Sequence, residues 1–209
     1  MKGRLLLLIL VPGAAQARHR RTADFSTAIA RSAAYEVAIK DAAARYSVDP
    51  RLLWTVAYLE SRLRPRLVSR KGARGMMQFM PATGRRYGLL TIRDLHDPAR
   101  SIEAAAMYLR DLSAMFGGRI DLILAGYNPG ENAVIASGYR VPRCHETLSY
   151  VARGRSVFGS LVQVVQTSST ISHRAARTTQ IDHGISNSHS GPHPFVPRTQ
   201  PARSIYFAF

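Results

Sequence analysis

The chain has 209 residues, 46% hydrophobic and 20% charged, with a formal charge of +16. That length buries one core and favours a single domain with tails; one cysteine, Cys144, excludes an internal disulfide, and no zinc-like spacing occurs, so no metal or organic cofactor is expected. The cationic excess directs the protein to anionic surfaces such as nucleic acid, acidic lipid headgroups or a carboxylate-bearing polymer.

Residues 1 to 17 read as a signal peptide. Lys2 and Arg4 precede an apolar run from Leu5 to Val11, and Ala15-Gln16-Ala17 supplies a small-residue cleavage site. The run is too short to span a bilayer in the mature chain, and no cysteine follows it to carry a lipid. Cleavage removes two cations and no acid, taking the charge from +16 to +14. The product is expected to be exported, to the periplasm or cell envelope, with no stable membrane anchor; export argues against an intracellular nucleic-acid partner. Residues 18–34 read as a lead-in, 35–159 as the folded domain and 160–209 as a flexible low-complexity tail.

Within the domain, Tyr35 to Tyr46 is an Ala-rich amphipathic segment. A second helix follows with Asp49 as N-cap and Pro50 at its first position, and Pro65 is expected to close it. Arg66 to Gly75 is irregular, with Gly72 and Gly75 as breakers, and Met76 to Met80 is apolar except for Gln78. Asp97-Pro98 opens a long helix with apolar positions Ile102, Ala105, Leu109, Leu112 and Phe116, ended by Gly117-Gly118. Leu122 to Ala125 leads into the loop Gly126-Tyr127-Asn128-Pro129-Gly130; further helices start near Glu131 and span Glu146 to Phe158. No stretch alternates with period two, so the fold class is mainly α. Beyond Ser160 polar residues and proline accumulate, and His173, His183, His189 and His193 lack the spacing of metal ligands.

The helix after Asp49 carries an anomaly. Its apolar stripe is Leu52, Val56, Leu59 and Leu63, and Glu60 projects from the edge of that buried face. A carboxyl group there loses hydration, which raises its pKa and suits it to general-acid work. A structural Glu rescued by Arg62, Arg64 or Arg66 has the same signature on helix geometry alone.

Three segments follow in order: ESRLRP from Glu60, RGMMQFMPATG from Arg74 and AGYNPG from Ala125. With the lead-in YSVDPRLLW, the segments DLHDPARSI and MYL, and a closing pattern at Pro142, Glu146, Thr147, Tyr150 and Val151, the chain from about Tyr35 to Phe158 resembles the catalytic domain of soluble lytic murein transglycosylases, a lysozyme-like family acting on peptidoglycan. The resemblance implies that Glu60 is the sole essential acid. It would protonate the glycosidic oxygen between N-acetylmuramic acid and N-acetylglucosamine, then act as base on the muramic C6 hydroxyl as that group closes a 1,6-anhydro ring. It further implies substrate contacts from Ser69, Gln78, Met80, Tyr127 and Asn128, with the Tyr127 phenol bonding the catalytic carboxyl. Gly126 and Pro129 stand where the family commonly has alanines. The partner implied is the peptidoglycan glycan strand; the setting, whether wall turnover, wall opening for a secretion or conjugation machine, or phage lysis, stays open.

Two other function classes compete. A hydrolytic muramidase needs a second carboxylate, for which Asp94, Asp97, Glu131 and Glu146 are candidates. A non-catalytic wall-binding scaffold keeps the groove without turnover, and Gly72-Ala73-Arg74-Gly75 has the form of a nucleic-acid GxxG clamp but lacks the surrounding βααβ pattern. The cations Arg62, Arg64, Arg66, Arg70, Lys71 and Arg74 either attract carboxylates of peptide stems or form a solvated loop.

Overall fold

The computed structural model describes residues 24–161. The expected signal peptide and nearly all of the expected tail, with its four histidines, lie outside these residues. The described chain is helical: α1 (24–32), a 3-10 turn (Ala33–Tyr35), α2 (Glu36–Tyr46), α3 (Pro50–Ser61), α4 (Pro81–Arg86), α5 (Ile92–His96), α6 (Pro98–Phe116), α7 (Ile120–Tyr127), α8 (Glu131–Ala136) and α9 (145–161). Among the described residues the only extended pairing is two isolated antiparallel bridges, Val68 with Arg74 and Arg74 with Phe79.

Helix α6 is the axis of the core, packed by α2 on one side and α7 on another. Its stripe Ile102, Ala105, Leu109, Leu112 and Phe116 is buried as the sequence spacing requires, and Gly117 ends it in the left-handed conformation at φ 60°. Helix α3 is apolar nearly all round and is buried from Leu52 to Leu59. It starts as expected, the Asp49 carboxylate accepting the Arg51 N–H at 2.8 Å ahead of Pro50.

Helix α3 ends differently from the sequence expectation. Pro65 plays no part; the turn is made by Arg62 (φ 58°) and Leu63 (φ 57°), two consecutive left-handed residues without glycine. Leu63 is fully buried, and the Arg62 guanidinium folds back over the Tyr58 ring, 4.6 Å from its centroid, while donating to the Tyr58 carbonyl at 3.1 Å. These contacts offset the conformational cost that left-handed backbone imposes on side chains with a Cβ.

The lead-in also proves structured from residue 24. Phe25 meets Trp54 and Tyr58 edge-on at 5.7 and 5.4 Å between centroids, and Ala28 is fully buried, so α1 closes the outer side of α3. The short helices α4 and α5 escape periodicity because neither exceeds six residues. Their start signals are nonetheless in the sequence: Pro81 at the first position of α4, and a Thr91–Asp94 capping box for α5. Leu122 to Ala125 belongs to α7, which continues through Gly126 to Tyr127 instead of yielding to a loop.

Candidate functional site

Glu60 lies in the last turn of α3, partly buried, where α7, α9 and the segment 62–80 meet. Its Oε1 accepts a hydrogen bond from the Tyr150 phenol at 2.6 Å. Burial raises the Glu60 pKa to about 7, the Tyr150 hydrogen bond and the Arg153 charge pulling it down and the Glu146 charge pushing it up. A carboxyl group so placed holds its proton at neutral pH and can give it up there.

The segment after α3 is a loop built on side-chain to backbone bonds. Ser61, buried, donates from Oγ to the Met76 carbonyl at 2.7 Å and accepts the Arg64 N–H at 3.0 Å, tying both ends of the loop to the end of α3. Gly75 is obligatory: at φ 78° a Cβ would stand 1.8 Å from the Leu95 carbonyl oxygen.

Each residue singled out in the sequence has a definite place. Ser69 organises a tight turn, accepting the Ala73 N–H on Oγ at 3.0 Å while its own N–H donates to the Ala73 carbonyl at 2.9 Å. Gln78 adopts φ 49° and spends its amide nitrogen on the carbonyls of Leu67 (3.1 Å) and Gly75 (2.8 Å), which leaves its amide oxygen as the group it can offer a ligand. Met80 caps the start of α4 and is 43% exposed, an apolar surface open to solvent. Asn128 follows the end of α7, its N–H donating to the Leu124 carbonyl at 3.3 Å.

Tyr127 departs from the expectation. Its phenol donates to the Met77 carbonyl at 3.0 Å, and it is Tyr150 that bonds the carboxyl. Tyr127 still stands close enough for the Glu60 charge, after burial, to push its pKa up. The reason is reach: Tyr127 ends α7 against the 76–80 segment, whereas Tyr150 enters from α9, 3% exposed. Tyr150 belonged to the closing motif of the family resemblance, so the signal was present but carried no role.

The candidate second carboxylates are differently engaged. Asp94 accepts the N–H groups of Leu90 and Thr91, both at 2.9 Å, and pairs with Arg100; these backbone bonds hold its pKa below the usual value. Asp97 caps α6 through the Arg100 N–H at 3.0 Å. Glu131 accepts from Tyr108 at 2.8 Å and Arg86 at 2.8 Å, and although burial raises its pKa, these and its backbone bond bring it down. Glu146, at the start of α9, is exposed and faces Lys71 at 3.4 Å. Among the described residues no group of three or more His, Cys, Asp or Glu could hold a metal ion.

The architecture and the partly buried acid at the end of a helix define a lysozyme-like helical domain. Its fold is that of the 70-kDa soluble lytic transglycosylase of Escherichia coli, aligned with a TM-score of 0.55 at 23% identity over 59% of this chain and 23% of that one. Residues 37–143 match the Transglycosylase SLT domain, and the chain belongs to that family. Similar proteins include the transglycosylase of Enterobacteria phage PRD1, 37% identical over 44% of this chain and 33% of its own length. Another is the membrane-bound lytic murein transglycosylase F of Alcanivorax borkumensis, 38% identical over 46% of this chain and 21% of its own. The chain thus aligns with a third or less of these relatives.

Proposed function

We propose that the protein is a peptidoglycan lytic transglycosylase that cleaves the β-1,4 bond between N-acetylmuramic acid and N-acetylglucosamine, with Glu60 as acid and then base. The observation that carries this reading is the Glu60 carboxyl group, bonded by the Tyr150 phenol and poised near neutrality by burial. Protonated Glu60 gives its proton to the glycosidic oxygen, and the C1–O bond breaks to release the N-acetylglucosamine hydroxyl. Glu60, now a carboxylate, takes the proton of the muramic C6 hydroxyl as its oxygen bonds C1, which closes the 1,6-anhydro ring and restores the acid. No water is consumed, and the Tyr150 phenol stabilises the transient carboxylate.

Hydrolysis of the same glycan remains the second reading, and one observation keeps it: Glu146 is close enough to influence Glu60, while Asp94, Asp97 and Glu131 are engaged in caps and ion pairs. Ser69, Gln78, Met80 and Asn128 are assigned to the sugar groove on the family resemblance, supported by the exposed Met80 and the uncommitted Gln78 oxygen. We place the enzyme in the periplasm or cell envelope, on the strength of residues 1 to 17 and the murein transglycosylases it resembles. No described helix is long and apolar enough to cross a membrane.

Mass spectrometry of fragments released from purified sacculi tests the reading. Wild-type protein is expected to release anhydro-muropeptides, which lack a reducing end. Exclusively reducing products would give the reaction to hydrolysis, and Glu146→Gln would then abolish it. Equal lysis by Glu60→Gln and wild type would remove Glu60 from the chemistry.

A further inference from the structure

Beside Glu60 lies a cavity of about 450 Å³ whose lining includes four arginines: Arg31 of α1, Arg62 and Arg64 of the turn after α3, and Arg153 of α9. The acids that line it are Asp24 and Glu60 itself. With Glu60 protonated, the lining carries a clear positive excess.

The four guanidinium groups are held in place by backbone carbonyls. Arg31 donates to the Arg62 carbonyl, Arg62 to the Tyr58 carbonyl at 3.1 Å, Arg64 to the Ser61 carbonyl at 2.8 Å and Arg153 to the Ser149 carbonyl at 3.2 Å. None forms an ion pair with a carboxylate of the described residues, although Arg51, Arg86, Arg100 and Arg155 elsewhere all do. A guanidinium has five N–H donors, so one backbone bond apiece orients each group and leaves donors for a ligand. Such preorganised forks match a carboxylate.

We infer that this cavity takes a carboxylate of the peptide stem borne by the muramic acid, so that Arg31 and Arg153 read the peptide while the groove reads the sugars. This rests on the proposed function. On a muramic residue that bears its peptide the lactyl carboxyl is tied up as an amide, so the anionic groups it brings beside Glu60 are those of the peptide. The basic stretch seen in the sequence is accordingly divided: Arg62 and Arg64 turn to the cavity, while Lys71 faces Glu146. Arg31 and Arg153 come from helices outside the family-matched residues 37–143.

Isothermal titration of the full mature chain tests this with three probes: a synthetic stem tripeptide with free carboxylates, its carboxamide analogue, and inorganic phosphate. The tripeptide is expected to bind, the carboxamide about tenfold more weakly, with the difference shrinking as salt rises. Arg153→Gln, at an exposed position, and Arg31→Gln should each weaken the tripeptide severalfold. The same variants should lose the KM advantage of strands with free stem carboxylates over strands whose stem carboxylates are amidated. Equal binding of the two peptides, wild-type affinity in Arg153→Gln, or phosphate binding more tightly than the tripeptide would overturn the assignment. Lysis lost with peptide binding kept defeats the glycan-cleaving reading alone; anhydro products without peptide binding defeat the cavity alone.

Discussion

At the scale of single residues the decisive quantity is the proton on Glu60. Its active form is the acid, so lysis should fall as pH rises through about 7. Tyr150→Phe and Arg153→Gln each remove an influence that favours the charged form, and the alkaline limb of the rate profile should therefore move up; Glu146→Gln should move it down. Initial rates of sacculus lysis across pH measure all three. The same shift is a statement about folding. A native pKa above the unfolded value of 4.5 means that stability is fully present below pH 4.5 and is lost as pH rises to about 7. Glu60→Gln should thus match wild type at pH 4.5 and exceed it by about 3 kcal/mol at pH 8 in chemical denaturation, while abolishing lysis.

At the scale of elements, two glycines set how closely helices approach. A Cβ on Gly126 would meet Leu112 Cδ2 and Phe116 Cε2, both at 2.8 Å, which explains why this chain lacks the commoner alanine: the two α6 side chains already fill its place. On α9, a Cβ on Gly154 would stand 2.7 Å from Leu124 and 3.2 Å from Leu59. Gly154 is one turn from Tyr150 on the same face, so it draws the phenol onto Glu60. Gly154→Ala gains about 1 kcal/mol of helix propensity and loses about 1–3 kcal/mol to overpacking. The expected net is a lower melting temperature together with reduced lysis, and Leu124→Ala in the same chain should recover part of both.

These elements also mark where the sequence was readable. Asp49-Pro50 and the α6 stripe announce themselves because capping and the 3.6-residue period act locally. Glu60 stood out because it broke that period, and its raised pKa follows from the same fact. The left-handed turn at Arg62-Leu63 was not readable, since nothing local favours it and its compensation comes from burying Leu63 and stacking Arg62 on Tyr58. The exchange of Tyr127 for Tyr150 was hidden likewise, because it depends on a contact 90 residues apart in the chain.

At the scale of the whole molecule, α1 and α9 clasp the family-matched segment from both ends. Phe25 covers Trp54 and Tyr58, while Tyr150, Val151 and Leu161 seat α9 in the core. A chain ending at residue 143 keeps Glu60, Ser69, Gln78, Met80, Tyr127 and Asn128 yet bares the apolar seat of α9. It should melt at lower temperature than the full chain and release no anhydro-muropeptides from sacculi, as calorimetry and mass spectrometry would record.

The Tyr150–Glu60 bond has a corollary for how such a protein diversifies. The groups that adjust the acid's proton affinity, Tyr150, Arg153 and Glu146, all ride on α9, beyond the family-matched residues 37–143. Drift confined to that helix can tune the acidity at which the protein works while Glu60 and the residues around it stay as they are. Two cousins alike from Glu60 to Asn128 are then free to inhabit environments of different pH.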